Sequence, residues 1–134
     1  MLSESRYLQI VRASAWYDLV VTAGFATPWS FAVILSSLAD LAQQLALPGS
    51  VLVFAAAHVL MANLLGSVVI AWAILRLRHT QVVWGRYDAA LRFAFAAWQI
   101  VAVAHGASAI ILAFSVFELV FGTLQSLPVR RTPA

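Results

Sequence analysis

The sequence predicts an all-α fold, an integral membrane four-helix bundle running N-in/C-in as a single domain over residues 1–134, with a short amphipathic helix on the outer surface between spans 1 and 2. Three observations carry that expectation. The chain is 63% hydrophobic and 10% charged, whereas an ordinary soluble domain is about a quarter charged. Its 134 residues hold four apolar stretches of roughly 20 residues each and leave no room for a separate soluble domain. Its cations are all arginine, and they gather near the N-terminus, around the island Arg76–Asp88 and at the C-terminus. By the positive-inside bias these three regions share the cytoplasmic side.

Residues 1–11 form a short lead with Glu4 and Arg6, read as an interfacial turn of helix ahead of Arg12. Span 1 covers 14–38, with Trp16 and Tyr17 at headgroup level, where amphipathic rings sit best. This stretch is too long for the apolar core of a secretory leader and carries Asp18 and Pro28, so it is expected to be a retained helix. Pro28 removes a backbone donor and is expected to kink the span, with Thr22, Thr27 and Ser30 available to the freed carbonyls. Residues 38–50 alternate leucines at 38, 41 and 45 with Asp40, Gln43 and Gln44 at helical spacing, which predicts the surface helix. Pro48-Gly49 ends it, and Ser50 is placed to cap the next helix.

Span 2 covers 51–75 and contains His58, Asn63 and the small pair Ala62 and Gly66, on which a neighbouring helix can pack closely. Span 3 covers 84–103, with Asp88 and Arg92 at i, i+4 on one face. The turn His105-Gly106-Ala107-Ser108 is short enough to force spans 3 and 4 side by side. Span 4 covers 109–127 with Glu118 near its middle, followed by Pro128 and Arg130-Arg131. A faint repeat links the halves: Tyr17-Asp18 precedes Phe25-Ala26 and Trp29 much as Tyr87-Asp88 precedes Phe95-Ala96 and Trp98. Such a repeat would be parallel, each half one hairpin.

The pI of about 10.2 reports membrane orientation rather than affinity for nucleic acid, and no nucleic-acid partner is expected. Without cysteine there is no disulfide, no thiolate nucleophile and no sulfur ligand. No phosphate loop, His-x-x-x-His pair or Ser/His/Asp grouping occurs, so the chain reads as a non-enzyme with no cofactor and no metal.

Four residues are the candidates for an intramembrane polar site: His58, Asn63, Gln99 and Glu118. A charged carboxylate at the depth of Glu118 costs on the order of 3 kcal/mol, so it needs a partner or a proton. Asn63, at a similar depth, is the expected partner. Asp18 with Arg12, and Asp88 with Arg92, read as ion pairs at the inner headgroup level that secure helix ends. His58 and His105 lie toward the outer side at unequal depths, which fits packing and surface hydrogen bonding better than a bis-histidine haem.

The segments Ala15-Trp16-Tyr17-Asp18, Phe25-Ala26-Thr27-Pro28-Trp29, His58 with Asn63 and Gly66, Gly85-Arg86-Tyr87-Asp88 and Ala104-His105-Gly106 resemble small proteobacterial membrane proteins. Among these are the immunity proteins that protect producers of colicin M-type (pyocin M-like) bacteriocins. In architecture the chain also resembles the DoxX-like group of small bacterial inner-membrane proteins. The first resemblance implies a multi-pass protein of the bacterial inner membrane, non-enzymatic, whose partner is a periplasmic toxin that hydrolyses the lipid-linked peptidoglycan precursor. The surface helix then lies in the periplasm, and Asp40, Gln43, Gln44 and His105 are the candidate contact residues. The second implies an accessory subunit or small transporter using an internal polar path. The lipid bilayer is a partner on either reading, and a second copy of the chain is admitted as another.

Overall fold

A computed structural model describes residues 1–51 and 54–130. Five α-helices account for nearly all of it: α1 (Glu4–Thr22), α2 (Pro28–Gln44), α3 (Ala56–Arg78), α4 (Val82–Ala104) and α5 (Leu112–Ser126), with 3₁₀ turns at Ala23–Phe25 and Ala109–Ile111. Two helical stretches, Ala56–Arg78 and Ala109–Ser126, are long and apolar enough to cross a membrane, and a third qualifies if Glu4–Phe25 and Pro28–Gln44 count as one broken span. The equally long α4 carries Arg86, Asp88 and Arg92 in its first half.

The bundle is organised around α1, which packs along α3 and touches α4 and α5, while α4 and α5 lie side by side as their short connection requires. Each helix presents a stripe of small or polar residues to this centre. On α1 the buried positions are Tyr7, Val11, Ser14, Ala15 and Asp18. On α4 they are Gly85, Asp88, Ala89, Arg92 and Ala96. Small side chains at helical spacing let backbones come close. A Cβ on Gly66 would lie 2.8 Å from the Phe25 carbonyl carbon, and one on Gly85 would lie 2.7 Å from the Tyr7 hydroxyl.

The expected single span over 14–38 is instead two helices meeting at 101°. Pro28 does not kink a continuous helix. It is the first residue of a new one, where its missing N–H costs nothing, and Thr27 is the N-cap, its hydroxyl accepting from the Ser30 N–H at 3.2 Å. The expected surface helix over 38–50 is therefore no separate element, because its first turns are the end of α2. That helix stops in a Schellman turn, with Leu47 N–H donating to Ala42 O at 2.9 Å and Ala46 N–H to Gln43 O at 3.0 Å. The left-handed position is occupied by Ala46 at φ 49°. The same turn closes α4, where Gly106 holds it at φ 99°.

The third helix starts at Ala56 rather than 51, and Leu52 and Val53 of the expected span lie outside the described residues. Ser50 does not cap it. Its N–H donates to Gly106 O at 3.1 Å and its carbonyl accepts from Ser108 N–H at 3.1 Å, while Ala109 N–H reaches Pro48 O at 2.9 Å. At the opposite end of the bundle, Leu2–Ser3 pairs in parallel with Val129–Arg130, joining the two ends of the described chain.

Candidate functional site

Between α1, α3, α4 and α5 lies a layer of five ionisable side chains. Arg92 of α4 is 2% exposed and bridges three carboxylates. Its Nε donates to Asp88 Oδ2 at 3.0 Å, its Nη1 to Glu118 Oε2 at 2.8 Å, and its Nη2 to both Asp18 oxygens at 2.7 and 2.8 Å. Arg76 of α3, fully buried, donates to Asp18, and its Nη1 lies 2.6 Å from Asp88 Oδ2. Neutral groups complete the shell. Trp72 Nε1 donates to Asp88 Oδ1 at 3.0 Å, and Gln125 Nε2 donates to Asp88 Oδ2 at 2.9 Å and to Ser14 Oγ at 2.8 Å.

Rings cover the cations, with Arg92 5.1 Å from the Phe121 centroid and Arg76 5.5 Å from that of Trp72. Toward the termini, the Tyr7 hydroxyl donates to Gln125 O at 2.7 Å, and Arg86 donates to the carbonyls of Gln125 and Leu127 at 3.0 and 2.8 Å. Charges at this depth are tolerated only when paired and hydrogen-bonded, because desolvating each costs several kcal/mol. Here all three nitrogens of Arg92 and both terminal nitrogens of Arg76 reach carboxylates, in the bridging geometry that arginine supplies and lysine does not, while Arg76 Nε is buried without a partner among the described residues.

The layer corrects several expectations. Asp18 pairs with Arg76 and Arg92 and not with Arg12, which is exposed on the far face of α1. Asp88 and Arg92 do pair, at 3% and 2% exposure, buried between the helices. The partner of Glu118 is Arg92 and not Asn63. Asn63 donates to Phe25 O at 2.7 Å and so ties the break between α1 and α2 to α3. The remaining polar candidates are also occupied locally. Gln99 Oε1 accepts from Ser115 Oγ at 2.7 Å, and exposed His58 caps its own helix, Nδ1 accepting from Ala55 N–H at 3.3 Å. No hydrogen bond links His58, Asn63 or Gln99 to Glu118 among the described residues.

The second candidate region is the end opposite the layer. Asp40, Gln43 and Gln44 are exposed on α2, whose other side buries Phe31 and Ala42. His105 is exposed at the end of α4, its Nδ1 2.8 Å from Val101 O. Among the described residues no group of three or more His, Cys, Asp or Glu is placed to hold a metal ion.

Sequence reasoning missed Arg76, Ser14, Trp72, Tyr7 and Gln125 as members of one constellation. A signal for them was present: Arg76 lies three residues after Ala73 and ten after Gly66 on the buried face of α3, and Gln125 lies three after Gly122 on that of α5. Comparison of the chain with protein-family models, curated proteins and solved structures found no match.

Proposed function

We propose that the protein is a four-span, N-in/C-in protein of the bacterial inner membrane that acts without chemistry of its own, as an immunity protein against a colicin M-type bacteriocin working in the periplasm. The observation that carries this reading is the placement of α2. It runs crosswise to α1 at the end away from the arginine-rich turn, and it shows Asp40, Gln43 and Gln44 to the surroundings. Such a platform suits recognition of a protein arriving at the outer face, and the backbone stitching of 48–50 to 106–109 keeps it in place. Four crossings are supported by the charged layer, since Asp18, Asp88 and Arg92 turn inward and leave the lipid-facing sides of α1 and α4 to apolar residues such as Trp16, Val20, Leu91 and Trp98.

Topology is tested with reporter fusions: those after Thr80 and Ala134 read cytoplasmic, those at Gln44 and Ala107 periplasmic, and a periplasmic C-terminus overturns the arrangement. Function is tested in a strain sensitive to a colicin M-type toxin, comparing wild type, Asp40→Ala/Gln44→Ala and Arg78→Ala at equal membrane levels. Wild type and Arg78→Ala protect, and the double variant does not. No protection by wild type against any such toxin removes the immunity reading in favour of an accessory subunit or small transporter, for which the charged layer is the supporting observation.

A further inference from the structure

The charged layer does not balance. Among the described residues Asp18, Asp88 and Glu118 pair only with Arg76 and Arg92, which leaves one negative charge over when all five side chains are ionised. A further arginine of α4, Arg86, reaches carbonyl oxygens and stacks 5.3 Å over the Tyr7 ring, without an ion pair to any of the three carboxylates. An unbalanced charge in a medium of low dielectric is costly, and it is relieved either by a bound cation or by a proton that neutralises the group.

The hydrogen bonds show where such a cation goes. Both oxygens of Asp18 accept from guanidinium groups, and both oxygens of Asp88 accept, one from Trp72 and the other from Arg92 and Gln125. Among the described residues Glu118 has a single donor, Arg92 Nη1 on Oε2, and its Oε1 has none. Glu118 is also 8% exposed, so this oxygen lies at the rim of the layer. Beside it Tyr17 of α1 stacks on Phe117 and Phe121, with ring centroids 5.0 and 5.6 Å apart, and the Tyr17 hydroxyl is buried with no hydrogen-bond partner among the described residues. The rim thus offers one free carboxylate oxygen, one unpartnered hydroxyl and an aromatic wall. A hard metal cation takes several oxygen ligands, and two do not suffice. A proton needs only one.

We propose that the layer is a single-proton site and that Glu118 Oε1 holds the proton. The charged and titratable groups facing it are Asp18 and Tyr17 from α1, Arg76 from α3, and Asp88 and Arg92 from α4. Uptake places a hydrogen on Oε1, leaves both arginines charged and brings the five-residue layer to neutrality. The assignment is independent of the outer-face reading, because it concerns the other end of the bundle.

The experiment uses the full chain in lipid nanodiscs and infrared spectra at controlled pH. Glutamate is labelled uniformly with carbon-13, which marks only Glu4 and Glu118, and Glu4→Gln removes the first. In that labelled variant the proposal requires one carboxylic C=O band near neutral pH that shifts with the label, disappears at alkaline pH and ignores sodium at fixed pH. Glu118→Gln lacks the band. If that variant does not accumulate, the isotope shift in the Glu118-bearing protein decides alone. Absence of a label-shifted band at every pH where the protein stays folded overturns the proposal. Displacement of the band by sodium at constant pH overturns the proton assignment in favour of a metal cation.

Discussion

Around Arg76 and Arg92 the helices are joined by charged side chains, whereas at the other end the segments 48–50 and 106–109 are joined by backbone hydrogen bonds. The two solutions follow from what each region has to connect. In the layer, helices already spend their backbone donors internally, so only side chains can bridge them, and the bridging groups must be long and multidentate. At the opposite end the chain leaves helical conformation, and the freed N–H and C=O groups of the two connections satisfy one another. The first kind of joint depends on a few residues and fails as a unit when one is lost. The second spreads over many peptide groups and tolerates side-chain change.

The contrast is broken most severely at Arg92. Arg92→Leu takes from Glu118 its ion-pair partner and leaves Asp18 and Asp88 to Arg76 alone, and losing one partner of a buried ion network costs roughly 3–5 kcal/mol. Loss of membrane accumulation, or a sharply lower unfolding midpoint in detergent, is the expected result; wild-type stability would mean that the layer does not hold the bundle. Next is Gly66→Ala, whose Cβ would sit 2.8 Å from the Phe25 carbonyl carbon. With backbone as the obstacle, overpacking of about 1–3 kcal/mol is expected, read in the same unfolding assay and paired with no change in Ala62→Gly beyond its own helix propensity.

Glu118→Gln sharpens the comparison inside the layer. It keeps the shape and an acceptor for Arg92 Nη1 and stands in for the neutral, protonated carboxyl, so a stability change of about 1 kcal/mol or less is expected, whereas Glu118→Lys prevents accumulation by setting a third cation beside Arg92. Equal effects of Gln and Lys would contradict the charge argument. The smallest effect belongs to the backbone-joined end. Ala46 occupies a left-handed position that its counterpart Gly106 adopts freely, so Ala46→Gly is expected to stabilise by about 0.5–1 kcal/mol, seen as a modest rise in melting midpoint.

How far the residues themselves reveal this arrangement differs by region. The segregation of arginine, the apolar run lengths and the tight His105–Ser108 turn were enough to place most helices and to make α4 and α5 neighbours. The i, i+4 pair Asp88 and Arg92 was also visible, because it lies within one helix. Its burial was not, since a pair near the start of a span looks the same whether it faces headgroups or other helices. The faint repeat gains a physical meaning only in three dimensions, where its two Tyr-Asp pairs bring Asp18 and Asp88 to the same two arginines.

By itself, then, the sequence determined helical class, the apolar stretches and the end at which charge accumulates, because these depend on composition and on local periodicity. Tertiary structure alone decided that Pro28 starts a helix at 101° to α1, that Asn63 serves the Phe25 carbonyl, and that Glu118 belongs to Arg92. Each of those outcomes turns on which faces of separate helices meet. Helix rotation is set by the fit of small residues such as Gly66, Gly85 and Gly122 against their neighbours, a property of pairs of helices that no single stretch of sequence contains.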